Sequence, residues 1–74
     1  NPGDGWFVIE SKNKANKIYG FDTYDNNGKL LQSKKTVSEL VEIDLTAYPD
    51  GVYFLRINSD GGMETFKAIK ASTK

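Results

Sequence analysis

The sequence predicts a small all-β domain, an antiparallel β-sandwich, and three observations carry that expectation. Short apolar runs with a period of two recur along the 74 residues. Turns rich in Gly, Asn, Asp and Pro separate them at intervals of about 8–12 residues, the spacing of sandwich strands. No long segment carries the three-to-four-residue apolar spacing of an amphipathic helix.

The elements follow in order. Asn1 to Gly5 is turn chemistry throughout. Trp6 to Glu10 forms a first strand, with Phe7 and Ile9 on one face and Trp6 and Val8 on the other. Ser11 to Lys17 lacks apolar periodicity and makes a polar connection. Ile18 to Tyr24 is a second strand in which Tyr19, Phe21 and Thr23 alternate with Ile18, Gly20 and Asp22. Asp25-Asn-Asn-Gly28 closes a hairpin, since Asn-Gly suits a type I′ turn, both of whose central positions need positive φ. Lys29 to Lys35 returns, carrying Leu30 and Leu31.

Val37 to Leu45 admits two readings. Ser38 and Glu39 suit the start of a short helix with Leu40 and Val41 on its inner face. The alternation of Val41, Ile43 and Leu45 with Glu42 and Asp44 instead predicts a strand, and the strand is preferred.

Thr46 to Gly51 then turns a corner into the stretch that organises the rest, Val52 to Ile57. Pro49 presets φ for a β-turn, and Gly51 accepts a backbone that a Cβ would forbid. Tyr53, Leu55 and Ile57 share one face of this strand and Val52, Phe54 and Arg56 the other, as in a central strand buried on one side and partly covered on the other. Asn58 to Gly62 closes a second hairpin, and Met63 to Lys70 returns with Phe66, Ala68 and Ile69.

Composition narrows the function. A chain of 74 residues makes one domain near the lower limit for a core without staples. Without cysteine there are no disulfides, thiolate metal sites or thiol nucleophiles, and without histidine the usual general base is missing. Ten cations balance ten acids, so no net field favours nucleic acid or an anionic membrane. Nine of the ten cations are lysines. They cluster at Lys12, Lys14 and Lys17 and again at Lys34 and Lys35, which suits guards on solvated edges better than a binding patch. No run approaches the ~18 apolar residues of a membrane span, and no secretory leader pattern opens the chain. Asn1-Pro2 already lies inside a turn, which reads as the start of a piece of a longer protein.

Sites of chemistry are few. Asp22, Asp25, Asn26 and Asn27 invite a calcium loop, but with Gly28 as its sixth residue the loop would begin on Thr23 and end on Lys34, neither a carboxylate. The turn reading therefore wins, with a weaker carbonyl-built site left open. Asp44 with Asp50, or Asp60 with Glu64, would need a cleft to act as glycosidase carboxylates, and so small a sandwich has little room for one. The hydroxyls have no histidine to activate them. Most of the aromatics must be core, leaving Trp6 or Tyr48 as candidates for a sugar-stacking surface. No catalytic residue, metal site or cofactor is expected.

An ordered set of short motifs points elsewhere. Asn1-Pro2 opens the chain, Tyr24-Asp25-x-x-Gly28-Lys29 closes the first hairpin, and Ile43-Asp44-Leu45 leads into Asp50-Gly51-Val52-Tyr53-Phe54-Leu55. Phe66-Lys67-Ala-Ile-Lys70 ends the last strand. This set resembles the C-terminal sorting domain of cargo proteins of the type IX secretion system, and the resemblance spans essentially the whole chain.

It implies an immunoglobulin-like sandwich of about seven strands at the end of a larger exported protein. It also implies a non-enzymatic address label, read by the outer-membrane translocon. A sortase-like cysteine protease would then remove it while the cargo is anchored at the surface. On this resemblance Asn1 and Pro2 fall on the first motif, Asp25 and Gly28 on the middle one, and Gly51, Tyr53, Lys67 and Lys70 on the terminal one. The route would run through the periplasm to the outer-membrane surface or the medium, with no membrane insertion by the domain itself.

A label read by proteins needs strand edges more than a pocket, and the terminal hairpin, with Lys67 and Lys70 on its outer face, is the favoured edge. The plainer reading makes both lysines guards against edge-to-edge aggregation, and self-association through edges is open. The reading from another class is an accessory sandwich of an extracellular enzyme, binding carbohydrate or serving as a spacer. A flat face exposing Trp6 and Tyr48 together would favour it.

Overall fold

The computed structural model describes residues 4–11 and 16–71. They form six strands: β1 (Trp6–Glu10), β2 (Ile18–Tyr24), β3 (Leu30–Ser38), β4 (Leu40–Asp44), β5 (Gly51–Ser59) and β6 (Gly62–Lys70). All pair antiparallel. β1 and β4 make a two-stranded ribbon, and the other four make a sheet in the order β3-β2-β5-β6. The expected β-sandwich is therefore present. The six strands that the periodicity delineates are all there, and the seventh implied by the resemblance has no counterpart among the described residues.

The central position of β5 follows from its sequence. Tyr53, Leu55 and Ile57 are buried, Val52 and Phe54 are half-buried, and Arg56 is exposed. The inner face of β5 meets Ile18 and Phe21 of β2 and Ala68 of β6, and the ribbon closes over them with Val41, Ile43 and Leu45. Ile43 and Leu45 have no exposed surface at all, so each contributes about 2 kcal/mol of apolar burial. Phe7, Ile9, Leu31, Tyr48 and Phe66 pack around this centre.

Three local features depart from the simple pattern. A register shift between Ile18 and Gly20 puts Ile18 on the same buried side as Phe21 and Thr23 and turns Tyr19 outward, where strict alternation had grouped Tyr19 with them. Such an extra residue is what a β-bulge inserts. Gly20 permits the close approach of β3, since a Cβ there would lie 2.6 Å from the Lys34 carbonyl oxygen. The segment from Val37 is also broken: β3 runs on to Ser38, the chain bends at Glu39, and β4 starts at Leu40. The Ser38 hydroxyl braces this bend, accepting from the Leu40 amide at 3.2 Å and donating to its carbonyl at 2.7 Å. Finally, Leu30 is exposed, while Leu31 faces the core.

Candidate functional site

Register brings the middle and terminal motifs to one end of the sandwich. Tyr24, the last residue of β2, pairs with Phe54, and Gly51, the first residue of β5, pairs with Lys70, the last of β6. Asp25 therefore lies beside the start of β5, and the corner between β4 and β5 lies at the same end. Asn1 and Pro2 fall outside the described residues.

The middle motif is a self-contained turn. The Asp25 carboxylate accepts from the amides of Asn27 at 2.8 Å and Lys29 at 2.9 Å, while the Asp25 carbonyl accepts from the Gly28 amide at 3.0 Å. Gly28 has φ of 84°, a backbone that strongly favours glycine. The expected hairpin is present, but its turn is not type I′: no described non-glycine residue has positive φ, so the turn closes around Asn26 and Asn27, with Gly28 alone taking the left-handed backbone after it. The Asp25 carboxylate is engaged in holding this turn. Among the described residues no group of three or more acidic side chains converges as a metal site would require.

The terminal motif is a latch built from residues far apart in sequence. Lys70 is buried, only 6 % exposed, and its Nζ donates to the carbonyl of Tyr48 and, at 3.3 Å, to that of Thr46. The Tyr53 hydroxyl donates to the carbonyl of Pro49. Tyr48 leans on Tyr53 with ring centroids 6.3 Å apart, and its hydroxyl reaches the Leu31 carbonyl at 3.4 Å. The corner from Leu45 to Gly51 is thus tied to β5 and β6 through its own main-chain oxygens, groups that would otherwise lack partners within secondary structure, and to β3 through the Tyr48 hydroxyl. Burial pushes the Tyr53 phenol up, and the negative charges of Asp25 and Asp50 push it further.

Asp44 enters the corner from the other side. Its carboxylate accepts from the Thr46 hydroxyl at 2.6 Å and the Thr46 amide at 2.9 Å. Those bonds, hydroxyl first and then amide, hold its carboxyl below the ordinary range, with a further pull from the Lys70 charge. At the opposite end of the domain Asp60 plays a similar part. It accepts from the Tyr19 hydroxyl at 2.6 Å and the Lys17 amide at 2.8 Å, and its carboxyl is lowered by these two bonds in that order.

The two motif lysines separate. Lys67 is exposed on the outer side of β6, opposite Phe54. Lys70, expected on that same outer face, instead points inward: three positions along a strand reverses the side. The inward placement of Lys70 and its two carbonyl partners were missed by pattern reading. The available signal was parity, since Phe66, Ala68 and Lys70 share a face and the first two are apolar.

The proposed sugar-stacking pair does not assemble. Trp6 stands 57 % exposed on the outer face of the ribbon, whereas Tyr48 packs against the core. The openings between strands are shallow clefts; one of about 360 Å³ lies between Ile9, Ile18 and Phe66, with Glu10 and Glu64 at its lining.

Neither a curated protein nor a solved structure matches this chain. A protein-family model does, described as the secretion system C-terminal sorting domain, and it matches residues 1–71. With nearly the full length matched, and with the motif residues of the middle and terminal segments gathered at one end of an all-β sandwich, the chain belongs to the C-terminal sorting domain family of the type IX secretion system.

Proposed function

We propose that this chain is the terminal address label of a larger exported protein, read by the type IX translocon and removed by a sortase-like cysteine protease as the cargo is anchored at the surface. Family membership carries the coarser part: the domain is a type IX sorting signal, which implies engagement with that machinery and export across the cell envelope. The family is one of secretion signals and generally non-catalytic. The single observation behind the reading is the family match over residues 1–71.

The geometry supports a division of labour among the motif residues. Asp25, Gly28, Tyr53 and Lys70 act by fixing the shape of one end of the sandwich, since their polar groups are engaged within the domain or their backbones set a turn. Of the two terminal-motif lysines, Lys67 is the one whose side chain faces outward. Gly51, exposed and with φ of 154°, starts β5 where the corner ends. Transit through the periplasm belongs to the same reading.

The test is a transplant. Residues 1–74, with a short native linker, are fused to the C-terminus of a periplasmic reporter in a type IX-competent cell, beside a fusion lacking Phe66 to Lys74. Surface appearance and cleavage of the intact fusion, with retention of the truncated one, is the expected result. If neither leaves the periplasm although the domain folds, the address-label reading is wrong.

A further inference from the structure

Among the described residues the two sheets end in four outer strands, β1, β4, β3 and β6, and these are not equally protected. Of the outer strands of the sheet, β3 carries Lys34 and Lys35 and β6 carries Lys67, the lysine guards that natural edges use against unwanted pairing. The ribbon strands have no cation. Indeed the stretches 4–11 and 39–46 hold Asp4, Glu10, Glu39, Glu42 and Asp44 with no Lys or Arg. Their outer face also exposes apolar groups: Trp6 is 57 %, Val8 55 % and Leu40 41 % accessible. Among the described residues the only ion pair is Lys17 with Glu39 at 2.9 Å, so no described cation pairs with Glu10, Glu42 or Asp44.

Among the described residues, one side of the β1 main chain also has no strand partner. The Gly5 carbonyl accepts from the Leu45 amide, and the Ser11 amide donates to the Glu39 carbonyl. The register between these points is unbroken, so residues 5, 7, 9 and 11 bond toward β4. The amides and carbonyls of Trp6, Val8 and Glu10 therefore point to the free edge. That edge borders an open cleft of about 230 Å³, lined by Phe7, Ile9, Phe66 and Ala68 and by the flank of β6.

We infer that β1 is the edge to which the secretion machinery adds a strand. The occupant is an extended partner segment in which apolar residues alternate with basic ones. Its main chain completes the hydrogen bonds of Trp6, Val8 and Glu10. Its apolar side chains enter the cleft against Phe7, Ile9 and Phe66, and its cations turn outward to the carboxylates beside Val8, with which no described cation forms an ion pair. The lysine-guarded edge of β6 borders the same cleft and closes it without pairing. This inference rests on the sorting reading and goes beyond it by naming the docking edge and the chemistry of its partner.

Val8 offers the test because its amide points away from β4 and its side chain away from the core. Val8→Pro removes the outward donor and fixes φ at that position without breaking a bond to β4, a substitution edge strands accept when that donor faces solvent. Val8→Lys supplies the missing guard and leaves the main chain intact. Both are placed in the reporter fusion, beside Arg56→Glu on the opposite face as a control, with the thermal midpoint of each purified domain measured in parallel. Both Val8 variants should fold and lose surface delivery about tenfold or more, as loss of main-chain pairing at an interface predicts, while Arg56→Glu is delivered normally. A photo-crosslinker at Val8 should capture a component of the secretion machinery.

Normal delivery of a folded Val8→Lys fusion overturns the inference and leaves the sorting reading standing. Crosslinks joining two copies of the fusion overturn it too, in favour of self-association. If the unsubstituted fusion is not delivered, the sorting reading fails and the inference fails with it.

Discussion

The Asp25–Gly28 turn and the Leu45–Gly51 corner sit at the same end of the molecule and are held by opposite means. The turn is local: the Asp25 carboxylate reaches amides two and four residues along. The corner is long-range: Lys70 reaches carbonyls 22 and 24 residues back, from the end of the last strand. A local motif persists wherever its few residues are present. A latch built by β6 exists only when that strand is in place, so the shape of this end of the domain reports that β6 has folded onto the sheet. For a terminal sorting signal the difference is useful, because a truncated or misfolded end leaves the turn intact but not the corner.

The largest expected effect comes from cutting the latch. Lys70→Met keeps an unbranched buried chain but leaves the Thr46 and Tyr48 carbonyls without their charged donor. The expected loss is about 2–3 kcal/mol, the range for buried hydrogen bonds to an ionised group. In a domain of this size that lowers the thermal midpoint by about 10–20 °C. Calorimetry measures it, and a midpoint unchanged by the substitution would show that the corner stands without Lys70.

A smaller effect is expected from the local side of the comparison. Asp25→Ala removes two exposed side-chain hydrogen bonds and should destabilise by about 1 kcal/mol. Hydrogen exchange gives the sharper reading. In Asp25→Ala, exchange should quicken at Asn27 and Lys29 and stay slow at the corner, whereas Lys70→Met should quicken it at Tyr48 and leave the turn unchanged. Equal responses in both places would mean that the two motifs form one cooperative unit and that the contrast drawn between them is false.

How much of this was legible follows the same division. The turn was readable, because Asn-Gly between two alternating runs specifies a hairpin within four residues. The central strand was readable too, since Tyr53, Leu55 and Ile57 alternate without a break and are buried as expected. The bulge after Ile18 was not, because nothing in Ile18-Tyr-Gly-Phe21 marks which residue is the extra one until β3 and β5 are both in register with it. The bend at Glu39 was hidden for another reason: the alternation breaks there, with Glu39 on the side of Val37 and Val41 and Leu40 on the other, but that break suits the start of a short helix as well as a change of sheet. The latch was least legible. A lysine near the end of an edge strand reads as a surface guard, and only the corner folded beneath β6 makes an inward lysine favourable. The edge of β1 lay between these cases, since the missing lysines are visible in sequence but the unpaired side of the strand is not.

The smallest expected effect concerns pH, and it separates the corner from the hairpin at the far end. Asp44 and Asp60 both have carboxyls held below the ordinary value, so the folded state binds protons less readily there than the unfolded chain does. Their stabilisation is complete above the ordinary carboxylate range near pH 4 and is lost as pH falls through the lowered values. Tyr53 and Tyr19 work at the other limit. Their phenols are raised, by burial for Tyr53 and by the hydrogen bond to Asp60 for Tyr19. The stability they confer is therefore complete below about pH 10 and lost as pH rises through the raised values.

Asp44→Asn keeps an oxygen for the Thr46 amide and removes the titration. It should flatten the acid limb of the stability profile, and exchange at the Thr46 amide should stop quickening below pH 4. Asp60→Asn should do the same at Lys17 and leave Thr46 unaffected. Because Lys70 adds a positive charge near Asp44, the acid response at Thr46 should also weaken in Lys70→Met, whereas that at Lys17 should not. A Thr46 response indifferent to Lys70 would place Asp44 with the local devices, alongside the Asp25 turn, and leave the latch to Lys70 and Tyr53.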